Sequence, residues 1–112
     1  MKEAVEEKIR QLQLAEQSLQ ALFAQKQNLQ MQLMEIDSAL KGLDTAAEAY
    51  KITGNVMVLS GKAQLQDELK SKKETAELRI KAIERQEKLT REKASAIQKE
   101  VLEGMKDDDK TG

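Results

Sequence analysis

The stretch YKITGNVMVL, residues 50–59, decides the fold of this chain because it predicts two short strands joined by a tight turn. Apolar and β-branched residues flank the dipeptide Gly54-Asn55, one of the favoured two-residue connections of a β-hairpin. We therefore predict a single β-hairpin over residues 49–60. Because a two-stranded hairpin alone is only marginally stable in water, this one requires other elements to cover it.

Both faces of the predicted hairpin are largely apolar. A two-residue turn sets Ile52 opposite Met57 and Tyr50 opposite Leu59. Since a hairpin on the surface of a monomer is polar on one face, we expect strands from other chains to cover it and close an intersubunit β-barrel. The alternative is a hairpin folded back on its own helices. The residues expected to drive oligomerisation are Tyr50, Ile52, Val56, Met57, Val58 and Leu59.

Long helical patterns flank the hairpin on both sides. Apolar residues recur there at steps of three and four, and the chain contains no proline. These patterns predict helix one over residues 3–43 and helix two over residues 62–105. The tail, residues 106–112, has no apolar residue and is predicted to be disordered. The predicted fold class is mainly α: a long antiparallel two-helix coiled coil joined by a single β-hairpin.

The apolar stripes name the residues expected at the interface between the two helices. In helix one they are Val5, Ile9, Leu12, Leu19, Leu22, Leu29, Leu33, Ile36, Leu40 and Leu43. In helix two they are Leu65, Leu69, Ala76, Ile80, Ile83, Ala94, Ile97, Val101 and Met105, with polar Lys72, Gln86 and Thr90 between them. A phase slip is expected between Leu19 and Leu22, where Phe23 would bridge it. Folding back pairs Val5 roughly with Val101.

Composition limits the classes of function. The chain has 112 residues, of which 35% are charged and 2% aromatic, with a net charge of −1. Charges of both signs are interspersed, which argues against a surface for nucleic acid or for an anionic membrane. No apolar run approaches the roughly 18–20 residues of a membrane span, and the N-terminus does not resemble a signal peptide. We therefore expect a cytoplasmic protein that binds neither nucleic acid nor membrane.

The side chains that carry most enzyme chemistry are missing. The sequence contains no cysteine and no histidine, so it holds no catalytic triad, thiolate nucleophile or common transition-metal site. Its five glycines form no phosphate-binding loop. The single tyrosine, Tyr50, lies in the hairpin, where packing is the expected role. We predict a protein that is not an enzyme, with no catalytic residues, no metal and no cofactor.

Apolar residues near the two ends of the chain form a candidate binding surface, because seam residues at the free end of a coil have no further layer to cover them. We call them the terminal apolar residues: Val5, Ile9, Leu12, Ile97, Val101, Leu102 and Met105. Val101 and Leu102 are adjacent and point about 100° apart on a helix, so at least one should face solvent. The alternative is that all seven pack across the seam.

Glutamines are crowded into helix one and admit two interpretations. They are Gln11, Gln13, Gln17, Gln20, Gln25, Gln27, Gln30 and Gln32. They form either an uncharged solvated face or the polar lining of a cavity that attracts neither sign of charge.

Two segments, YKITGNVMV at residues 50–58 and ELKSKKETAELRIKAIERQEKLTREK at residues 68–93, resemble the β-type subunits of the archaeal prefoldin family. A single hairpin, rather than two, distinguishes the β-type from the α-type. The resemblance implies a hetero-hexamer of α-type and further β-type subunits, whose hairpins join into β-barrels. It also implies an ATP-independent co-chaperone that captures unfolded polypeptides at its coiled-coil tips, here the terminal apolar residues, and passes them to a group II chaperonin. The alternative function is a structural scaffold or spacer in a multiprotein complex.

Overall fold

A computed structural model describes residues 2–45, 49–53 and 56–111, with side chains for residues 3–45 and 61–106. The fold is mainly helical, with helices of 44 and 50 residues on either side of a pair of strands. In chain order the elements are α1 (Lys2–Thr45), β1 (Ala49–Thr53), β2 (Val56–Ser60) and α2 (Lys62–Thr111).

The two strands pair antiparallel in the register expected from the sequence. Tyr50 lies opposite Leu59, and Ile52 lies opposite Met57. The predicted turn, Gly54-Asn55, and the side chains of both strands lie outside the described residues. The backbone therefore supplies the register, while the intersubunit barrel stays a prediction.

Hydrogen bonds mark the end of α1 and the start of α2, where the helices meet the strands. At the end of α1, the Thr45 hydroxyl donates to the carbonyl of Gly42 at 3.3 Å, which satisfies one of the carbonyls left free at a helix C-terminus. At the start of α2, the amide of Leu65 donates to the carbonyl of Gly61 at 3.0 Å. α1 thus ends two residues beyond the predicted position, and α2 begins where the sequence pattern placed it.

The tail differs from the prediction, because α2 continues to Thr111 instead of ending at residue 105. Disorder was expected over residues 106–112 since no apolar residue is available there for packing. An existing helix, however, extends by one backbone hydrogen bond per residue without a new nucleation step. Gly104 weakens the helix without stopping it, and no proline follows.

The chain divides into two compact units. Unit 1 comprises Met1–Lys26 and Ala82–Gly112, and unit 2 comprises Gln27–Lys81. In unit 1, ion pairs join Lys8 to Glu100 and Lys26 to Glu87, so the partner number falls as the α1 number rises. The two helical segments of unit 1 are therefore antiparallel.

Unit 2 repeats the antiparallel arrangement with its own contacts. Asp37 pairs with Lys73 at 2.9 Å, and the Asp44 carboxylate accepts a hydrogen bond from the Gln66 amide at 3.2 Å. The ammonium of Lys62 also donates to the Asp44 carbonyl. Its buried apolar residues are Leu29, Ala76 and Ile80.

The interface residues of α1 follow a regular heptad pattern, which includes positions that the apolar stripe left out. All ten residues predicted for helix one are buried or half-buried, and Ala15 and Lys26 fill the remaining positions. Steps of three and four alternate without interruption from Leu12 through Ala15 and Lys26, so the predicted slip is absent. Phe23 bridges nothing, because its ring is exposed. The apolar stripe omits these two positions because Ala15 is small and Lys26 is charged.

In α2 the same heptad count moves two of the three predicted polar seam positions by one residue. Lys72 and Gln86 are exposed, whereas their neighbours Lys73 and Glu87 lie at the interface. Thr90 is half-buried, as predicted. Neither described helix carries an apolar stretch that could cross a membrane.

Candidate functional site

Unit 1 contains the seven terminal apolar residues, and they divide by exposure. Val5, Ile9, Leu12 and Ile97 are half-buried, and Val101 is buried with 7% of its surface exposed. These five therefore contribute to the interface between α1 and α2.

Leu102 and Met105 leave the interface and face solvent. Their exposed fractions are 54% and 48%, although Leu102 directly follows the buried Val101. The expectation that adjacent residues 101 and 102 point in different directions is confirmed. Met105, predicted at the seam, is instead displaced by Gly104, which is half-buried. Two large apolar side chains, three residues apart on one helix face, are thus available for contact.

Gly104 lets the two helices approach closely. A Cβ atom built on this glycine would lie 3.0 Å from Cγ2 of Val5, closer than side-chain carbons normally pack. Val5 therefore lies against Gly104, whereas the sequence was expected to pair it roughly with Val101. The two positions differ by three residues, or about one helical turn, and an equal count outward from Gly54-Asn55 leads from Val5 to Gly104.

Charged side chains surround the apolar residues of unit 1. The Lys8 ammonium and the Glu100 carboxylate are 3.2 Å apart, with both side chains partly exposed. Arg10 donates two hydrogen bonds to the carboxylate of Glu7 within α1. Exposed pairs of this kind contribute little to stability.

Lys26 and Glu87 form a buried ion pair that the apolar stripes do not predict. The Lys26 ammonium donates to Oε1 of Glu87 at 2.8 Å, and only 2% of the Glu87 side chain is exposed. Arg91 lies 3.8 Å from the other carboxylate oxygen, and the Lys26 ammonium is 5.9 Å from the centre of the Phe23 ring. The heptad repeat predicts an interface residue four positions after Leu22, and that residue is Lys26.

Groups suited to metal binding do not assemble in the described parts of the chain. Among residues 2–45, 49–53 and 56–111, no three Asp or Glu side chains come together as metal ligands. Lys73 donates a hydrogen bond to Asp37, and this bond, together with the carboxylate charge, raises the pKa of Lys73. That shift keeps the lysine charged and suits an ion pair rather than proton transfer.

The antiparallel helical segments of each unit, the paired strands and the outward apolar side chains define a subunit of the coiled-coil type. The comparisons specify the family. A family described as "Prefoldin subunit" matches residues 6–107. The chain belongs to the prefoldin family, which is a family of chaperones and not of enzymes.

The similar proteins are β subunits of archaeal prefoldins. Prefoldin subunit beta of Thermococcus onnurineus (strain NA1) is 38% identical over 94 residues, which cover 81% of each chain. The Archaeoglobus fulgidus subunit is 36% identical over 100 residues, covering 87% of this chain and 86% of that one. The crystal structure of the prefoldin beta subunit from Thermococcus strain KS-1 matches with a TM-score of 0.83 and 35% identity, covering 89% and 90% of the two chains.

Proposed function

We propose that this chain is the β-type subunit of a hetero-hexameric, ATP-independent co-chaperone that holds unfolded polypeptides and passes them to a group II chaperonin. The chain would assemble with an α-type prefoldin subunit and with further copies of itself. The paired strands β1 and β2 would join those of neighbouring subunits into a β-barrel, which removes their exposed edges. The cytoplasm is the compartment where such a complex would meet newly made chains.

The outward position of Leu102 and Met105 is the observation that carries this proposal. Both are exposed beside the buried Val101 in the unit that contains the two chain ends. Unfolded polypeptides expose apolar side chains, and an unbranched methionine adapts to many shapes of partner. Each contact is weak, so several copies of the subunit in one assembly would be needed to hold a client firmly.

The half-buried terminal apolar residues extend this surface. Val5, Ile9, Leu12 and Ile97 each keep part of their side chain accessible at the interface between α1 and α2. A client segment that contacts Leu102 and Met105 would reach this partly exposed floor. Charged pairs such as Lys8–Glu100 at the margin would limit contact to the apolar strip and keep the free surface soluble.

A direct test measures aggregation of a chemically denatured client in the presence of the assembled complex and without ATP. The wild-type complex should suppress aggregation, and the variant L102S/M105S should lose most of that suppression. The matched control is M34S/L78S, which removes two apolar side chains that are even more exposed, at 71% and 67%. This control should behave as wild type, because the removed residues are distant in sequence from the terminal apolar residues.

Native mass spectrometry of each variant separates loss of capture from loss of assembly. If L102S/M105S assembles normally and still suppresses aggregation fully, capture at these residues is wrong. If the complex instead binds one native partner and has no affinity for denatured chains, the scaffold function is correct. Transfer is measured separately, as release of a labelled client when a group II chaperonin is added.

A further inference from the structure

The buried pair Lys26–Glu87 occupies heptad positions that apolar residues fill at most other turns of both helices. Lys26 follows Leu22 by four residues, and Glu87 follows Ile83 by four residues. Glu87 has the most deeply buried side chain among the residues described, and no buried side-chain nitrogen or oxygen there lacks a hydrogen bond. Two interface positions are therefore occupied by charged groups. The hydrogen-bonding capacity of these groups is satisfied only by each other and by their immediate neighbours.

Stability does not explain this choice. Removing two charges from water costs about as much as their attraction returns, so apolar residues of similar size commonly hold a helix interface equally well or better. A buried polar position does, however, discriminate strongly between alternative alignments of coiled-coil helices, because a misaligned charge has no partner. The pair is suited to selecting one alignment among several that the apolar residues alone would permit.

We propose that Lys26 and Glu87 determine which helical segment α1 accepts as its partner. The pair selects one antiparallel register between α1 and α2 of the same chain. It excludes slipped registers, and it excludes pairing with helices of other subunits that lack an acidic residue at the matching position. This role is independent of client capture, since neither side chain belongs to the terminal apolar residues.

The consequence of a slip shows how the discrimination works. Moving α2 by one heptad along α1 keeps apolar residues opposite apolar residues, so the stripes alone barely resist it. The same slip sets Lys26 against Ile80 or Ala94, each seven residues from Glu87. Glu87 would then face a leucine of α1. Both charges would be buried without a partner, which is strongly unfavourable.

The other ion pairs between the helices cannot impose the same selection. The Lys8–Glu100 and Lys73–Asp37 pairs have partly exposed side chains on both partners. When such a pair separates, water solvates each charge, so a slipped register loses little. Of these three ion pairs between described residues, the buried one couples register to the desolvation of a charge.

Disulfide trapping tests the register directly, since the chain contains no cysteine that would interfere. The variant V5C/G104C reports the observed register, because Cγ2 of Val5 lies 3.0 Å from the Cβ position of Gly104. The variant V5C/I97C reports a slip of one heptad. With the native pair present, the full chain should form the first disulfide at least about 100-fold more readily than the second, as expected when a slip buries unpaired charge.

The decisive comparison adds K26L/E87L to each cysteine pair. We expect the preference for V5C/G104C to fall at least about tenfold while the helix content measured by circular dichroism is retained. The matched control D37L/K73L removes a partly exposed ion pair and should keep the full preference. The near-isosteric K26M/E87Q, which preserves side-chain volume, should repeat the loss if the leucine variant does not fold.

Pairing between chains is read from the same samples by non-reducing electrophoresis. With the native pair, the disulfide should lie within one chain, whereas K26L/E87L should also give disulfide-linked dimers. An unchanged preference for V5C/G104C in folded K26L/E87L and K26M/E87Q, with no dimers, would overturn the proposal. The same loss of preference in D37L/K73L would also overturn it, because any ion pair would then suffice.

Discussion

Single substitutions in the buried ion pair should have unequal effects on stability. In K26M, the Glu87 carboxylate keeps its burial and loses the ammonium 2.8 Å away. Breaking a buried pair in this way costs about 3–5 kcal/mol. Arg91 remains 3.8 Å from the second oxygen and can move closer, since its own side chain is largely exposed. We therefore expect a loss of about 3 kcal/mol, at the lower end of that range.

In E87M, the Lys26 ammonium loses its carboxylate partner but can still reach water. Lys26 retains 18% exposure and a long flexible stem, so its ammonium can reach water while the stem stays packed. The Phe23 ring, 5.9 Å away, offers a further favourable contact for the cation. The expected loss is about 1.5–2 kcal/mol, at the lower end of the range for a hydrogen bond to a charged group.

Guanidinium unfolding, followed by circular dichroism at one fixed chain concentration, measures both variants. With a slope of roughly 3 kcal/mol per molar, K26M should lower the midpoint by about 1 M and E87M by about half as much. Fixed concentration matters because assembly with other chains adds stability by mass action. The double variant K26M/E87M should recover most of the loss, since no unpaired charge remains. If E87M lowers the unfolding midpoint more than K26M does, the argument that Lys26 can reach water while Glu87 stays buried is wrong.

Two further predictions concern unit 2. Replacing buried Ile80 with alanine should cost about 2–4 kcal/mol in the same unfolding measurement, whereas alanine at exposed Leu78 should change stability by less than about 0.5 kcal/mol; equal effects would contradict the assigned interface. The Lys73–Asp37 hydrogen bond raises the pKa of Lys73 above its value in the unfolded chain. The stabilisation that this hydrogen bond gives the folded chain is therefore complete below the ordinary pKa of 10.5. It is lost as the pH rises through the pKa of Lys73 in the folded chain. Comparing unfolding midpoints at pH about 9 and about 12 should therefore show a larger fall for wild type than for D37N, and parallel curves would refute the coupling.

Much of the fold followed from local patterns in the sequence. Strand register came from the dipeptide Gly54-Asn55, because a two-residue turn leaves only one pairing of the flanking residues. The apolar stripe of α1 identified interface residues correctly, since a helix repeats its faces every three or four residues. The divergence of Val101 and Leu102 likewise required only the angle between adjacent residues on a helix.

Tertiary packing decided what the patterns left out. Lys26 and Glu87 carry charges, so the apolar stripes do not include them although both lie at interface positions of the heptad repeat. Their burial depends on each being placed opposite the other, and two residues 61 apart acquire that relation only when α1 and α2 align.

The sequence alone determined the elements of this protein, its strand register and the apolar faces of its helices. Only the tertiary structure decided that Gly104 rather than Val101 faces Val5, and that Leu102 and Met105 remain exposed. The physical reason is that periodicity specifies the direction of a side chain from its own helix. Whether another helix is there to cover it depends on how the two helices align.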